Sequence, residues 1–253
     1  MKKILSWFEK ESFWTRFAPV MFDSQRWAEA PAIAEAVCKI AGLGAGSSVL
    51  DAGCGPGRIS VELAKLGPDV TGVDLIQPYL DAAAETAAAE GVELKLIRAD
   101  LREFRADKPF DAVINMYTSF GYCDSIEEDM QILRSLRECV KPGGWFIMEA
   151  LGREIAVRDF TEGEWFTRGE LTVLTEFSVA GAWEGLRNRW IIIDEAGERT
   201  EHEFVQRLYS AVELKRLLLA AGFSSAEVYG DFDFSPYNEK ARTMVLIART
   251  KGS

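Results

Sequence analysis

The 253-residue chain has a single histidine, His202, and four cysteines, Cys38, Cys54, Cys123 and Cys139, none of them in a C-x-x-C pair. A zinc centre of histidine and cysteine lacks its usual spacing here, so no metal is expected and the thiols read as free in a reducing compartment. Basic clusters are missing as well. Against 40 acidic residues stand 29 basic ones, a net charge of -11, which disfavours a nucleic-acid partner. Nor is there a long apolar run: the opening Met1-Lys2-Lys3-Ile4-Leu5-Ser6-Trp7 is stopped by Glu9, Lys10 and Glu11, far short of a signal sequence or membrane span. The expectation is a cytoplasmic protein with no membrane partner.

With 48% hydrophobic and 27% charged residues, the chain has the composition of a soluble globular protein long enough to bury a full core. One α/β domain over 1–253 with an insertion fits better than two independent units. Its most informative stretch is Ser48-Val49-Leu50-Asp51-Ala52-Gly53-Cys54-Gly55-Pro56-Gly57-Arg58. An apolar run, a glycine turn and the helical pattern Ile59 to Leu66 make a strand–turn–helix entrance to a nucleotide pocket. Val70 to Val73 completes a βαβ unit, and Asp74 follows it, where a carboxylate can accept hydrogen bonds from two ribose hydroxyls. An NAD-dependent oxidoreductase would use the same acid. Against it stand Arg58, where G-x-G-x-x-G needs a small residue, and Asp51, which would repel a pyrophosphate but suit a cationic ligand.

Before this unit, residues 7 to 27 are aromatic, with Trp7, Phe8, Phe13, Trp14, Phe17, Phe22 and Trp27 interrupted by Pro19. Such a segment packs over something, either as a satellite of the core or as a lid on the pocket, and with a helix over Pro31 to Ile40 it forms an N-terminal piece, 1–44. After the unit come a helix over Gln77 to Glu90, a strand ending in Ala99-Asp100-Leu101, the strand Phe110 to Asn115, a helix over Ile126 to Val140, a Lys141-Pro142-Gly143-Gly144 turn and the strand Trp145 to Glu149. Asp100 lies at the carboxyl end of its strand, where a base edge can be read, or else caps a short turn. Residues 151–208 depart from this alternation. Leu171 to Phe177, Leu186 to Ile193 and Glu201 to Leu208 read as an inserted antiparallel meander that roofs the strand ends or makes a homodimer contact. His202 there is either a packed strand residue or a general base. A Ser210-capped helix and two closing strands, Glu227 to Tyr229 and Thr243 to Arg249, complete the chain.

In combination, D-A-G-C-G-P-G, Asp74, Ala99-Asp100-Leu101 and K-P-G-G resemble class I S-adenosylmethionine-dependent methyltransferases, over about 30–150 and 208–250. The resemblance implies a Rossmann-like sheet of order 3-2-1-4-5-7-6 and S-adenosyl-L-methionine as cofactor. It implies that Asp51 with Gly53, Cys54, Gly55 and Gly57 holds the methionine moiety, Asp74 the ribose, Leu75 and Ile76 the adenine face, and Asp100 with Leu101 the adenine edge, with Asn115 also at the cofactor. The Tyr117-Thr118-Ser119-Phe120-Gly121-Tyr122 loop and the insertion resemble the sub-group acting on small-molecule N or O acceptors. Tyr117, Tyr122, His202 and Tyr237 are candidates for a base or a cation–π contact. A non-catalytic S-adenosylmethionine-binding protein is the remaining alternative.

Overall fold

A computed structural model describes residues 6–252; the basic opening over 1–5 lies outside them. Seven strands form the main sheet. In chain order they are β1 (Ser48–Ala52), β2 (Asp69–Asp74), β3 (Lys95–Arg98), β4 (Phe110–Asn115), β5 (Val140–Ala150), β10 (Ser225–Tyr229) and β11 (Met244–Arg249). Their spatial order is β10-β11-β5-β4-β1-β2-β3, with β11 antiparallel to its neighbours and the first five strands parallel. This is the expected 3-2-1-4-5-7-6 order.

Both faces of the sheet's centre are covered, which is why β1, β4 and β11 run almost continuously buried. Alternate residues divide cleanly. Leu50, Val113, Phe146, Met148 and Leu246 face α5 (Ile126–Glu138) and α7 (Ala211–Ala220), through Leu133, Leu136, Leu214 and Leu218. Val49, Ile114, Ile147 and Val245 face α2 (Ser24–Ala41) and α3 (Arg58–Lys65), through Ile33, Val37, Ile59 and Leu63. The Ser210 cap of α7, with Glu213 bonded back to it, forms as its sequence implies.

The N-terminal prolines do not break their helices. Pro19 lies inside α1 (Glu11–Met21) and Pro31 inside α2. A mid-helix proline costs about 3 kcal/mol. Burial of Phe13, Phe17 and Val20 against the inserted sheet returns about 1.5–3 kcal/mol per side chain, enough to keep α1 helical across Pro19. The helix α5 also stops earlier than its pattern suggests, because Val140 pairs with Phe110 and begins β5. The K-P-G-G turn becomes a bulge inside that strand, with Gly143 at φ 73° and pairing resumed at Trp145.

Between β5 and α7 the chain forms α6 (Arg153–Arg158) and a separate four-stranded antiparallel sheet: β6 (Gly163–Arg168), β7 (Leu171–Ala180), β8 (Gly185–Ile193) and β9 (Arg199–Arg207), in sequential order. The meander is thus one strand larger than the sequence pattern indicates. β6 carries no alternating burial, and its exposed Trp165 gives no apolar period to detect. Among the described residues no helix is long and apolar enough to cross a membrane.

Candidate active site

The turn after β1 is built to bring backbone close to a ligand. Gly53, Gly55 and Gly57 all have positive φ, between 53° and 81°, and the amides of Gly53 and Cys54 both donate to the carbonyl of Val73 on β2. A side-chain carbon on Gly57 would come 2.8 Å from Ala83 Cβ, so this glycine lets α3 approach α4 (Gln77–Glu90). Arg58 follows at once and is buried. Its Nη1 donates to the carbonyl of Arg26 at 2.6 Å, and its guanidinium lies 3.6 Å from the centroid of the Tyr117 ring. Arg58 therefore links the glycine turn to α2 and to the loop after β4.

Around this turn, at the carboxyl ends of the parallel strands, lies a cavity of about 350 Å³. That is where an open α/β sheet binds ligands, and the volume is within the range of small-molecule sites. Asp51, Gly53, Cys54, Gly55, Asp74, Leu75, Ile76, Asp100 and Leu101 all line it, as do Tyr117 and Tyr122. Four other sequence candidates do not. Gly57 packs under the turn instead. Asn115 is fully buried behind the wall, where its Nδ2 donates to the carbonyl of Ala52 at 2.7 Å and ties β4 to β1. Tyr237 donates to Glu154 at 3.0 Å in a different cleft, beside α6 and α7. His202 is enclosed by aromatic rings, 4.5 Å from Phe13 and 6.4 Å from Trp7 between centroids, and its Nε2 is buried without a partner. Burial holds its pKa below the ordinary histidine value.

Three carboxylates, Asp51, Asp74 and Asp100, and three arginines, Arg26, Arg58 and Arg102, line the cavity. Asp51 is 2% exposed, receives a 2.6 Å hydrogen bond from Ser60 Oγ, and is pushed up to about 6, chiefly by burial. Asp74 accepts from the amides of Gly55 (2.8 Å) and Ile76 (2.9 Å); burial raises its pKa despite these bonds. A carboxylate has about four acceptor positions, so two on Asp74 remain for a vicinal diol. Asp100 faces Arg102, whose Nη2 approaches it to 2.6 Å and whose backbone amide also donates to it. Asp100 thus caps its own turn and also lines the cavity. A ligand with an ammonium group, a ribose and an aromatic amine matches this wall, since each carboxylate would meet a donor of the right kind.

The cavity is covered by the N-terminal segment. One side of α1 buries Phe13 and Phe17 against Val173, Ile192 and Phe204 of the inserted sheet, while Trp14 and Met21, with Phe8, Phe22 and Arg26, line the cavity. Satellite core and cavity wall are two faces of one helix. The inserted sheet adds Trp190 and Gln206 to the lining. At the far end the 117 to 122 loop starts with Tyr117 and Thr118 in left-handed conformation, φ 52° and 60°. Such a conformation is costly for a β-branched residue. Glu149 at the end of β5 holds it: its carboxylate accepts from the Tyr117 amide at 3.0 Å and its carbonyl from the Thr118 amide at 3.1 Å. Glu149, Arg26 and Arg102 have no sequence signature, because their roles depend on contacts across elements.

Residues 49–144 match the family described as a methyltransferase domain. The chain is 25% identical over 207 residues to the cypemycin N-terminal methyltransferase of a Streptomyces species, covering 80% of this chain and 82% of that one. With the ubiquinone biosynthesis O-methyltransferase of Rickettsia felis it shares 30% identity over 105 residues, only 42% of this chain and 41% of that protein. Among solved structures, an amino pentose methyltransferase from Micromonospora echinaspora, solved with S-adenosylmethionine bound, superimposes with a TM-score of 0.69 at 20% identity, covering 99% of this chain and 100% of the other.

Proposed function

We propose that the chain, with its methyltransferase domain over residues 49–144, is a class I S-adenosylmethionine-dependent methyltransferase that methylates an amine nitrogen of a small molecule. Bound S-adenosylmethionine supplies a methyl carbon already activated by positive sulfur. The protein's residues bind, align and exclude water. In this reading Asp51 pairs with the cofactor ammonium, Asp74 receives the two ribose hydroxyls, and Asp100 with Leu101 meets the adenine edge. Trp14, Phe22 and Tyr122 close the cavity around the acceptor end, while Phe8 lies by Arg102 at the adenine end. Alignment alone can contribute up to about 7–11 kcal/mol to lowering such a barrier.

The observation that carries the choice of nitrogen is the character of the acceptor end. It is aromatic, and among the described residues it presents no base fit to take a hydroxyl proton. Burial pushes the phenols of Tyr117 and Tyr122 up, so both stay protonated at neutral pH. His202 is enclosed elsewhere and Tyr237 serves another cleft. An uncharged amine attacks through its lone pair and releases its proton to solvent afterwards, whereas an alcohol needs that proton removed during attack. The aromatic rings of this end also suit a cationic amine substrate. The cypemycin enzyme, which by name methylates an amino terminus, aligns with most of this chain, while the O-methyltransferase alignment spans less than half.

The test is formation of S-adenosylhomocysteine with primary and secondary amines, each paired with the hydroxyl compound of the same skeleton, from pH 6.5 to 9. Turnover is expected with amines and should rise with pH as the acceptor loses its proton. Faster turnover of the hydroxyl partners would overturn the assignment.

A further inference from the structure

The last strand of the inserted sheet ends at the cavity. Strand alternation puts His202, Phe204 and Gln206 of β9 on one face. On that face Phe204 packs with Phe13 and Phe17 of α1, His202 lies among the same rings, and Gln206 lines the cavity. Among the described residues no hydrogen bond engages the Gln206 side-chain amide. A polar group with nothing to bond to thus stands in the wall of a ligand cavity.

The residue after it is fastened on three sides. The Arg207 amide donates to the Gly121 carbonyl at 2.8 Å, its Nη2 to the Cys123 carbonyl at 3.1 Å, and its Nε to Asp129 Oδ2 at 3.0 Å. Asp129, on α5, is fully buried and takes a second bond, of 2.7 Å, from the Tyr209 hydroxyl. Gly121 has φ 86°, and a side-chain carbon on it would come 2.7 Å from the Arg207 carbonyl oxygen, so the loop after β4 lies directly on the end of β9. The same loop touches the glycine turn two residues earlier, where a side-chain carbon on Gly53 would come 3.0 Å from Ser119 Cβ. Residues 119 to 121 therefore bridge from the turn assigned to the methionine moiety to β9, and Gln206 stands beside the space beyond that turn. A strand end anchored in this way presents its side chain from a fixed backbone.

We propose that Gln206 is a specificity-determining residue that hydrogen-bonds a hydroxyl group on the carbon skeleton of the acceptor, so that the substrates are amino alcohols in preference to plain amines. The inference rests on the amine reading of the acceptor and adds a second recognised group to it. A primary amide offers an acceptor oxygen and a donor nitrogen side by side. A hydroxyl both donates and accepts, and it rotates to suit either atom. A carboxylate would match only the nitrogen and an ammonium only the oxygen. A site that bonds a substrate hydroxyl rejects the analogue without one, because its own polar group is then left unmatched.

The test uses the full chain with S-adenosylmethionine and four amines: cyclohexylamine and 2-, 3- and 4-aminocyclohexanol. Formation of S-adenosylhomocysteine gives kcat and KM for the wild type and Gln206→Met, and calorimetry gives the affinity of each for S-adenosylhomocysteine. In the wild type at least one aminocyclohexanol should exceed cyclohexylamine fivefold or more in kcat/KM. Gln206→Met should reduce that preference at least threefold, through KM, with S-adenosylhomocysteine affinity within twofold of wild type. If Gln206→Met does not fold, Gln206→Leu takes its place with the same reduction expected. A smaller wild-type preference, a preference that survives the substitution, or an equal loss with all four amines would overturn the proposal and leave the amine reading standing. Turnover of none of the four would overturn both.

Discussion

Asp51 gives the sharpest prediction. Burial lifts its pKa from 3.8 to about 6, so in the ligand-free protein its ionised form is disfavoured by about 3 kcal/mol. The sign follows from proton binding. Between about pH 4 and 6 the folded protein holds a proton that the unfolded chain has lost, so this group's contribution to stability falls as pH rises through that window, and its cost is fully present at pH 7. A cationic ligand reverses the balance, because an ammonium beside Asp51 favours the ionised form. Affinity for S-adenosylhomocysteine should therefore be level from pH 6.5 to 7.5 and fall about tenfold at pH 5, the loss approaching tenfold per unit further down. Asp51→Asn keeps an acceptor for Ser60 and removes the charge. It should raise the stability of the ligand-free protein at pH 7 by up to about 3 kcal/mol, weaken ligand binding at pH 7, and flatten the acid limb of the affinity curve. Calorimetric titrations at half-unit pH intervals, with urea melts of both proteins, measure all three. Affinity in the wild type that is unchanged between pH 5 and 7, or an acid limb equally steep in Asp51→Asn, would refute the role given to this carboxylate.

Asp74→Ala should weaken S-adenosylhomocysteine by about a hundredfold or more in calorimetry, since two charge-assisted bonds to ribose are lost and the Gly55 and Ile76 amides lose their acceptor; unchanged affinity would mean that the ribose lies elsewhere. Gly57→Ala should destabilise the fold by about 1–3 kcal/mol in urea unfolding, because the residue has φ 81° and its new methyl meets Ala83, and Ala83→Gly should recover part of the loss. His202→Phe should leave turnover within about twofold and match or exceed wild-type thermal stability, because it removes a buried unpartnered nitrogen from an aromatic cluster; a large loss of kcat would restore histidine as a base.

How far the site was legible depends on the range of the interaction that places each residue. Asp51, the glycine turn, Asp74 and Asp100 are positioned by the ends of strands adjacent in the sheet, and the strand–turn–helix order alone brings them to one edge. Asn115 sits at such an end too, yet its side chain turns back to the Ala52 carbonyl, a choice made by packing against β1. Tyr237 and His202 are candidates by their chemistry alone, and chemistry says nothing about which cleft a loop or an inserted sheet faces. Pro19 signals a break that apolar burial overrides, and α2 starts ahead of Pro31, at Ser24.

The sequence by itself determined the βαβ unit and the acidic turn that suits a cationic cofactor, because periodicity, glycine positions and capping act over a few residues; the strand order was implied only by the family resemblance. Tertiary structure alone decided that α1 would serve both the inserted sheet and the cavity, that Glu149 would hold the strained Tyr117–Thr118 pair, and that Arg102 would join Asp100 to Glu9. The physical reason is separation along the chain: those contacts join residues tens of positions apart, and only the packing of whole elements brings their charges within reach.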